Sequence, residues 1–131
     1  MKIFCKSRRQ LIHIFHLLTI FNRGAEITLN KSKHLPLTET TFYILTALLS
    51  PGHGYYIMQK VEELSLGRVR IAAGTMYGAI ENLLSQNLIT PVPSPDKRRK
   101  LYQTTALGRQ VLASEADRLR YLVTIADRFG L

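Results

Sequence analysis

The sequence predicts a mainly α fold with a small β-hairpin wing: three helices, two short strands and a long C-terminal helix, the plan of a winged helix-turn-helix. Three observations carry this expectation. Apolar residues recur at helical spacing in three segments between Thr38 and Gln86. The string LITPVPSPDKRRKLYQT, residues 88–104, then gives two short extended runs around a turn rich in proline and cations. Finally, Leu112, Leu119, Leu122, Ala126 and Phe129 are separated by seven, three, four and three residues, a heptad-like seam on the last helix.

Each element has its own local signals. Thr38 supplies a hydroxyl to cap the first helix, on which Phe42, Leu45, Leu48 and Leu49 share a face, and Ser50, Pro51 and Gly52 stop it. Gly54 opens the second helix. Its Ile57, Val61 and Leu64 form an apolar stripe, and Gln59, Lys60, Glu62 and Glu63 face water. After a break at residues 65–70, a third helix is expected from about Gly74 to Gln86, burying Met76, Ile80, Leu83 and Leu84. The strands are expected at residues 88–92 and 100–104. Pro91 and Pro93 lack ladder donors and require the first strand to be short or at an edge. Thr105 caps the final helix, which continues toward Phe129 and ends at Gly130.

The chain has 131 residues, 46% of them hydrophobic, enough for one core and too few for two ordinary domains. The expected organisation is a basic and apolar N-terminal extension over residues 1–36, a DNA-binding domain over 37–104 and a dimerisation helix over 105–131. The formal charge of +9 points to phosphate-bearing partners or an acidic membrane surface. Most of it sits in the extension, where Lys2, Lys6, Arg8, Arg9, Arg23, Lys31 and Lys33 face Glu26 alone. The apolar run Leu11–Phe21 is interrupted by His13 and His16 and is too short for a bilayer that needs about 20 apolar residues, so stable membrane insertion is not expected. The extension reads as an additional amphipathic helix, a surface anchor, or translation from a start site placed too far upstream. Cys5 is the single cysteine, which excludes an intramolecular disulfide and a thiolate-rich zinc site and suits the reducing cytoplasm. His13 and His16 make too poor a donor set for a metal. No cofactor is expected. The core carries no nucleophile beside a base, no phosphate loop and no apolar carboxylate pair, so the chain does not read as an enzyme.

The winged-helix plan assigns the functional residues. Gly74 and Thr75 begin the third helix, where free amides and the positive dipole end favour a phosphate, and Tyr77 adds a hydroxyl. Asn82, flanked by Glu81 and Ser85, suits a bidentate contact to adenine. Lys97, Arg98, Arg99 and Lys100 crowd the wing tip, where they can meet phosphates or a narrow minor groove. Tyr43, Tyr55, Tyr56 and Tyr102 read as packing residues. Leu112, Leu119, Leu122, Ala126 and Phe129 form the expected dimer interface, because a helix this long has little of its own chain left to cover it. Two other readings fit a basic winged helix: a protein-interaction or membrane-surface module, and a structured-RNA binder.

Three blocks resemble the PadR family of winged-helix regulators: HGYYIMQKVEE, AAGTMYGAIENLLSQNLI and DKRRKLYQTTALGRQVLASE. The resemblance covers about residues 35–129. It implies a homodimer held mainly by the C-terminal helix, binding a roughly palindromic duplex operator, usually as a repressor released by a small molecule or another signal. It also implies that Thr75, Tyr77, Arg98, Arg99 and Lys100 lie at the DNA face. The sequence departs from the family pattern in several places. Ala72 and Ala73 stand where a serine and often a proline precede the recognition helix, and Leu101 replaces the first of an aromatic pair that keeps Tyr102. There is no tryptophan to sandwich a flat effector, a single helix follows the wing as in the short subgroup, and the N-terminal extension is atypical.

Overall fold

Thr38, held extended, directs its hydroxyl at the start of helix α1 (Glu39–Ala47) and accepts the amide of Thr41 at 3.1 Å. This satisfies one of the donors that a helix start leaves free. Helix α2 (Gly54–Leu64) is capped by His53, whose Nδ1 accepts the Tyr56 amide at 3.1 Å. An imidazole Nδ1 sits where an asparagine Oδ1 would, so the ring does the work of an Asn cap. Helix α3 (Ala73–Ser85) starts one residue earlier than the sequence suggests, behind Ala72, which offers no side-chain cap. Strands β1 (Ile89–Val92) and β2 (Leu101–Thr104) form the hairpin, and helix α4 (Ala106–Arg128) follows Thr105, whose hydroxyl accepts the Gly108 amide at 3.0 Å.

This computed structural model describes residues 33–131, and residues 35–131 form one compact unit. The expectations for Leu11–Phe21, His13, His16, Cys5 and the rest of the extension up to residue 32 lie outside the described residues.

Three of the helices end alike. In α2, α3 and α4 the two residues after the cap return their amides to carbonyls of the last turn: Leu66 to Glu63 and Gly67 to Glu62, Asn87 to Leu84 and Leu88 to Leu83, Gly130 to Asp127 and Leu131 to Ala126. The residue at the reversal has a positive φ in each case: 53° at Leu66, 56° at Asn87 and 68° at Gly130. This double return consumes carbonyls that would otherwise be orphaned, and after α3 it aims Leu88 straight into the core.

In the hairpin, Ile89 lies opposite Thr104, Thr90 opposite Gln103, Pro91 opposite Tyr102 and Val92 opposite Leu101. Tyr102 directs its backbone away from β1: its amide donates to the Gly52 carbonyl and its carbonyl accepts from the Gly52 amide, at 2.9 and 3.0 Å. Pro91 therefore faces a residue whose ladder bonds are already used on the other side, and its missing N–H costs the sheet nothing.

The core gathers Ile44, Leu45 and Leu48 of α1, Ile57 and Val61 of α2, Met76, Ile80 and Leu83 of α3, then Leu88, Ile89, Tyr102, Val111 and Leu112. Only the first half of α4 reaches it, and one charged group goes with it. Glu115 is 2% exposed, and both its oxygens bind Arg118, with Nη2 at 2.6 Å and Nε at 2.9 Å. Arg118 and the Leu37 amide hold this carboxyl below its ordinary 4.5 against the opposing effect of burial. The ionised form thus adds stability above that value, and the contribution fades as the pH falls below it.

Candidate nucleic-acid interface

The wing tip is built around Asp96. Its carboxylate accepts the Arg98 amide at 2.9 Å, while its carbonyl accepts the Arg99 amide at 3.1 Å and the Ser94 hydroxyl at 2.8 Å. The one acid of the tip is thus committed to shaping the turn. It pairs loosely with Arg99 at 3.7 Å, and Lys97, Arg98 and Lys100 have no carboxylate within ion-pair reach among the described residues. All four cations are exposed, so the tip presents positive charge that the described part of the chain does not neutralise.

A cleft of about 710 Å³ separates this tip from the helices. Arg98, Arg99 and Lys100 form one side, His53, Gly54 and Tyr55 of the α2 start form another, and Tyr77, Ile80, Glu81 and Leu84 of α3 supply the floor. Tyr77 is 62% exposed and packs beside the α2 start, where a Cβ added at Gly54 would lie 3.8 Å from its ring. Of the residues expected from sequence, Tyr77, Arg98, Arg99 and Lys100 come together here. Gly74 and Thr75 are exposed at the α3 start, Lys97 is exposed on the tip, and none of the three lines the cleft. A Cβ at Gly74 would meet nothing within 4 Å, so nothing in the described chain requires a glycine there. Asn82 is exposed farther along α3, and its Oδ1 accepts from Gln86 Nε2, which occupies one half of the bidentate pair a base edge would need.

Tyr55 and His53 are among the cleft residues that the sequence reading does not assign to the site. Tyr55, read as a packing residue, is 62% exposed, because it sits two positions from Ile57 and so about 200° around α2 from the buried stripe. That periodicity is legible in the sequence. His53 lines the same cleft, and because Nδ1 accepts the Tyr56 amide, the neutral ring carries its proton on Nε2. The position just before a helix-opening glycine is the signal that marks it as a cap.

The expected dimer seam divides in two. Leu112 is 8% exposed and belongs to the chain's own core, contrary to its assignment to the interface. The reason is that one apolar stripe runs the length of α4, while the core covers only its first turns. Beyond Glu115 the stripe emerges: Leu119, Leu122 and Phe129 are exposed, Ala126 is half-buried, and Tyr121, Val123 and Leu131 add further exposed apolar surface. No described helix is long and apolar enough to cross a membrane.

The family model described as "Transcriptional regulator PadR-like family" matches residues 42–114, from the middle of α1 to the buried part of α4. A PadR family transcription regulator from Clostridium difficile R20291 is similar at 26% identity, with a TM-score of 0.60 over 70% of this chain and 98% of that one. A PadR family regulator from Eggerthella lenta shares 21% identity over 86% of this chain and 96% of its own, with a TM-score of 0.56. The regulator BldR from Sulfolobus solfataricus shares 20% over 93% and 86%, with a TM-score of 0.56. At these identities the last two show the fold alone. No curated protein sequence matches. With a winged helix whose third helix and cationic wing border one cleft, and a family model that spans more than half its length, the chain belongs to the PadR-like family of transcriptional regulators and is not an enzyme.

Proposed function

We propose that the chain binds a roughly palindromic duplex operator in the cytoplasm as a homodimer, with residues 37–104 on the DNA and residues 105–131 joining the two copies. The observation that carries this reading is the cleft: its wing side offers cations without carboxylate partners among the described residues, apart from the loose Arg99 contact, and its helix side offers tyrosine hydroxyls. That pairing of charge and neutral donors suits a phosphodiester backbone crossing between wing and recognition helix. The uncapped α3 start supports it, since Ala72 gives the first-turn amides no side-chain cap and Ala73, Gly74 and Thr75 are exposed residues among those described, where a phosphate can approach. Farther along the groove Asn82 reads a base edge once Gln86 releases it. Repression, relieved by a small molecule or another signal, is the regulatory sign that the family resemblance favours.

The test is a fluorescence-anisotropy titration of the chain against its own upstream intergenic DNA, a scrambled duplex and a structured RNA, over a salt series. A preference for the upstream duplex well above tenfold, with steep salt dependence, is expected. Equal binding to all three would remove sequence-specific regulation. Preference for the RNA would favour the structured-RNA reading, and cosedimentation with anionic vesicles would favour the surface module.

His53 extends the interface with a ring donor, its Nε2–H. His53→Asn retains an acceptor for the Tyr56 amide but loses the ring Nε2–H. The expected result is about a tenfold loss of affinity, the scale of a hydrogen bond to a charged group, with the melting temperature and the salt slope unchanged. Full affinity in a folded His53→Asn chain would confine the histidine to capping.

A further inference from the structure

Helix α3 contains no lysine, arginine or histidine, and its one charged side chain is Glu81. Met76, Ile80 and Leu83 form its buried face, and at about 100° per residue Gly74, Gly78, Glu81 and Ser85 lie on the opposite side, all four exposed. Two of these four have no side chain, and the Ser85 hydroxyl turns back to donate to the Asn82 carbonyl at 2.7 Å. The Glu81 carboxylate is the polar group this face leaves unengaged: no ion pair or hydrogen bond holds it among the described residues. It lines the same cleft as Arg98, Arg99 and Lys100.

An unpaired carboxylate at that place is selective about what it can meet. It repels phosphate, so it subtracts from the sequence-independent attraction that the wing supplies. Base edges in the major groove differ in what they offer it. Guanine presents two acceptors, thymine an acceptor and a methyl group, and adenine sets an N7 acceptor beside its N6 donor, whereas cytosine presents its N4 amino group with no acceptor of its own alongside. We infer that Glu81 is a specificity-determining residue that accepts from cytosine N4 and so fixes one C·G pair in each half-site. The inference rests on the proposed duplex binding. Wing cations that hold the phosphates of a strand leave its bases pointing away from the backbone toward α3, the side on which Glu81 stands. A guanine in place of the cytosine would set acceptors against a carboxylate already stripped of water, so the wrong pair is penalised as well as unrewarded.

The experiment presents the full chain with a pool of duplexes randomised over about 20 base pairs, room for two half-sites one helical turn apart, and sequences the bound fraction. Anisotropy then compares the enriched duplex with a scrambled one. The unsubstituted chain is expected to enrich a motif with a C·G pair fixed in each half. Glu81→Gln keeps the size of the side chain but brings an amide that pairs with adenine N6 and N7, and is expected to turn that pair into A·T while the other positions hold. Glu81→Ala is expected to leave the pair unspecified and to lose about tenfold of the preference for the enriched duplex over the scrambled one. It should also bind the scrambled duplex more tightly than the unsubstituted chain does, because a charge that repels phosphate is gone. The side chain is exposed and unengaged among the described residues, so both variants should keep the melting temperature. A motif without a fixed cytosine, a motif unchanged at every position in both folded variants, or an equal loss on both duplexes overturns the inference. An unsubstituted chain that enriches no motif overturns the proposed sequence-specific binding itself.

Discussion

Replacing Arg98 and Arg99 together by alanine is expected to weaken binding to every duplex, specific and scrambled alike, by up to about 10³-fold near 0.15 M salt. The slope of log K against log salt should fall by up to about four units if all four arginines of a dimer touch phosphate. The effect is large because the described tip has little compensating charge to release: the Asp96 carboxylate accepts the Arg98 amide and pairs only loosely with Arg99 at 3.7 Å, and Arg98 has no carboxylate partner among the described residues. Both arginines are exposed and their backbone bonds survive truncation, so the melting temperature should not change. The measurement is the anisotropy salt series run on both proteins. An unchanged slope would show that the wing tip does not contact phosphate and would return the cleft to a structural role.

Gly108→Ala is expected to cost about 3 kcal/mol or more of stability, lowering the melting temperature by roughly 12–24 °C. A Cβ at this position would lie 2.2 Å from the Leu88 carbonyl oxygen and 2.6 Å from Thr104 Cγ2. Neither neighbour can yield easily. The Leu88 carbonyl accepts the Thr105 amide and the Thr105 hydroxyl, and Thr104 is buried with its own hydroxyl donating to the Leu45 carbonyl at 2.8 Å. The substitution must therefore push α4 away from the turn that follows α3, where the core converges. Thermal unfolding followed by circular dichroism reads the effect directly, and an unchanged transition would mean that α4 slides on the core at little cost.

These two residues differ in how visible they are from sequence. Four consecutive cations between two short extended runs announce a wing tip with no structure in hand. Gly108 announces nothing, because one glycine in a helical run carries no information about the carbonyl that will approach it from a turn twenty residues earlier. His53 and Tyr55 lie between these cases. The period of α2 already excludes Tyr55 from the buried stripe, yet only the position of the wing makes that exposed face one side of a cleft. Asn82 shows the opposite limit: its exposure follows from the period of α3, but its partnership with Gln86 depends on side-chain rotamers.

The sequence by itself determined the kind and order of the elements, their start signals at Thr38 and Thr105, the cationic hairpin and the apolar stripe of the last helix. All of these depend on interactions within a few residues, and hydrophobic period and capping chemistry record such interactions directly. Tertiary structure alone decided where that stripe stops being core, so that Leu112 is buried and Leu122 is not, and why an ionised glutamate sits at the boundary. It also decided which of the exposed side chains share a cleft. Those outcomes turn on which surfaces meet across long separations in the chain, and a periodic pattern states that a face is apolar without stating how far along it the covering core extends.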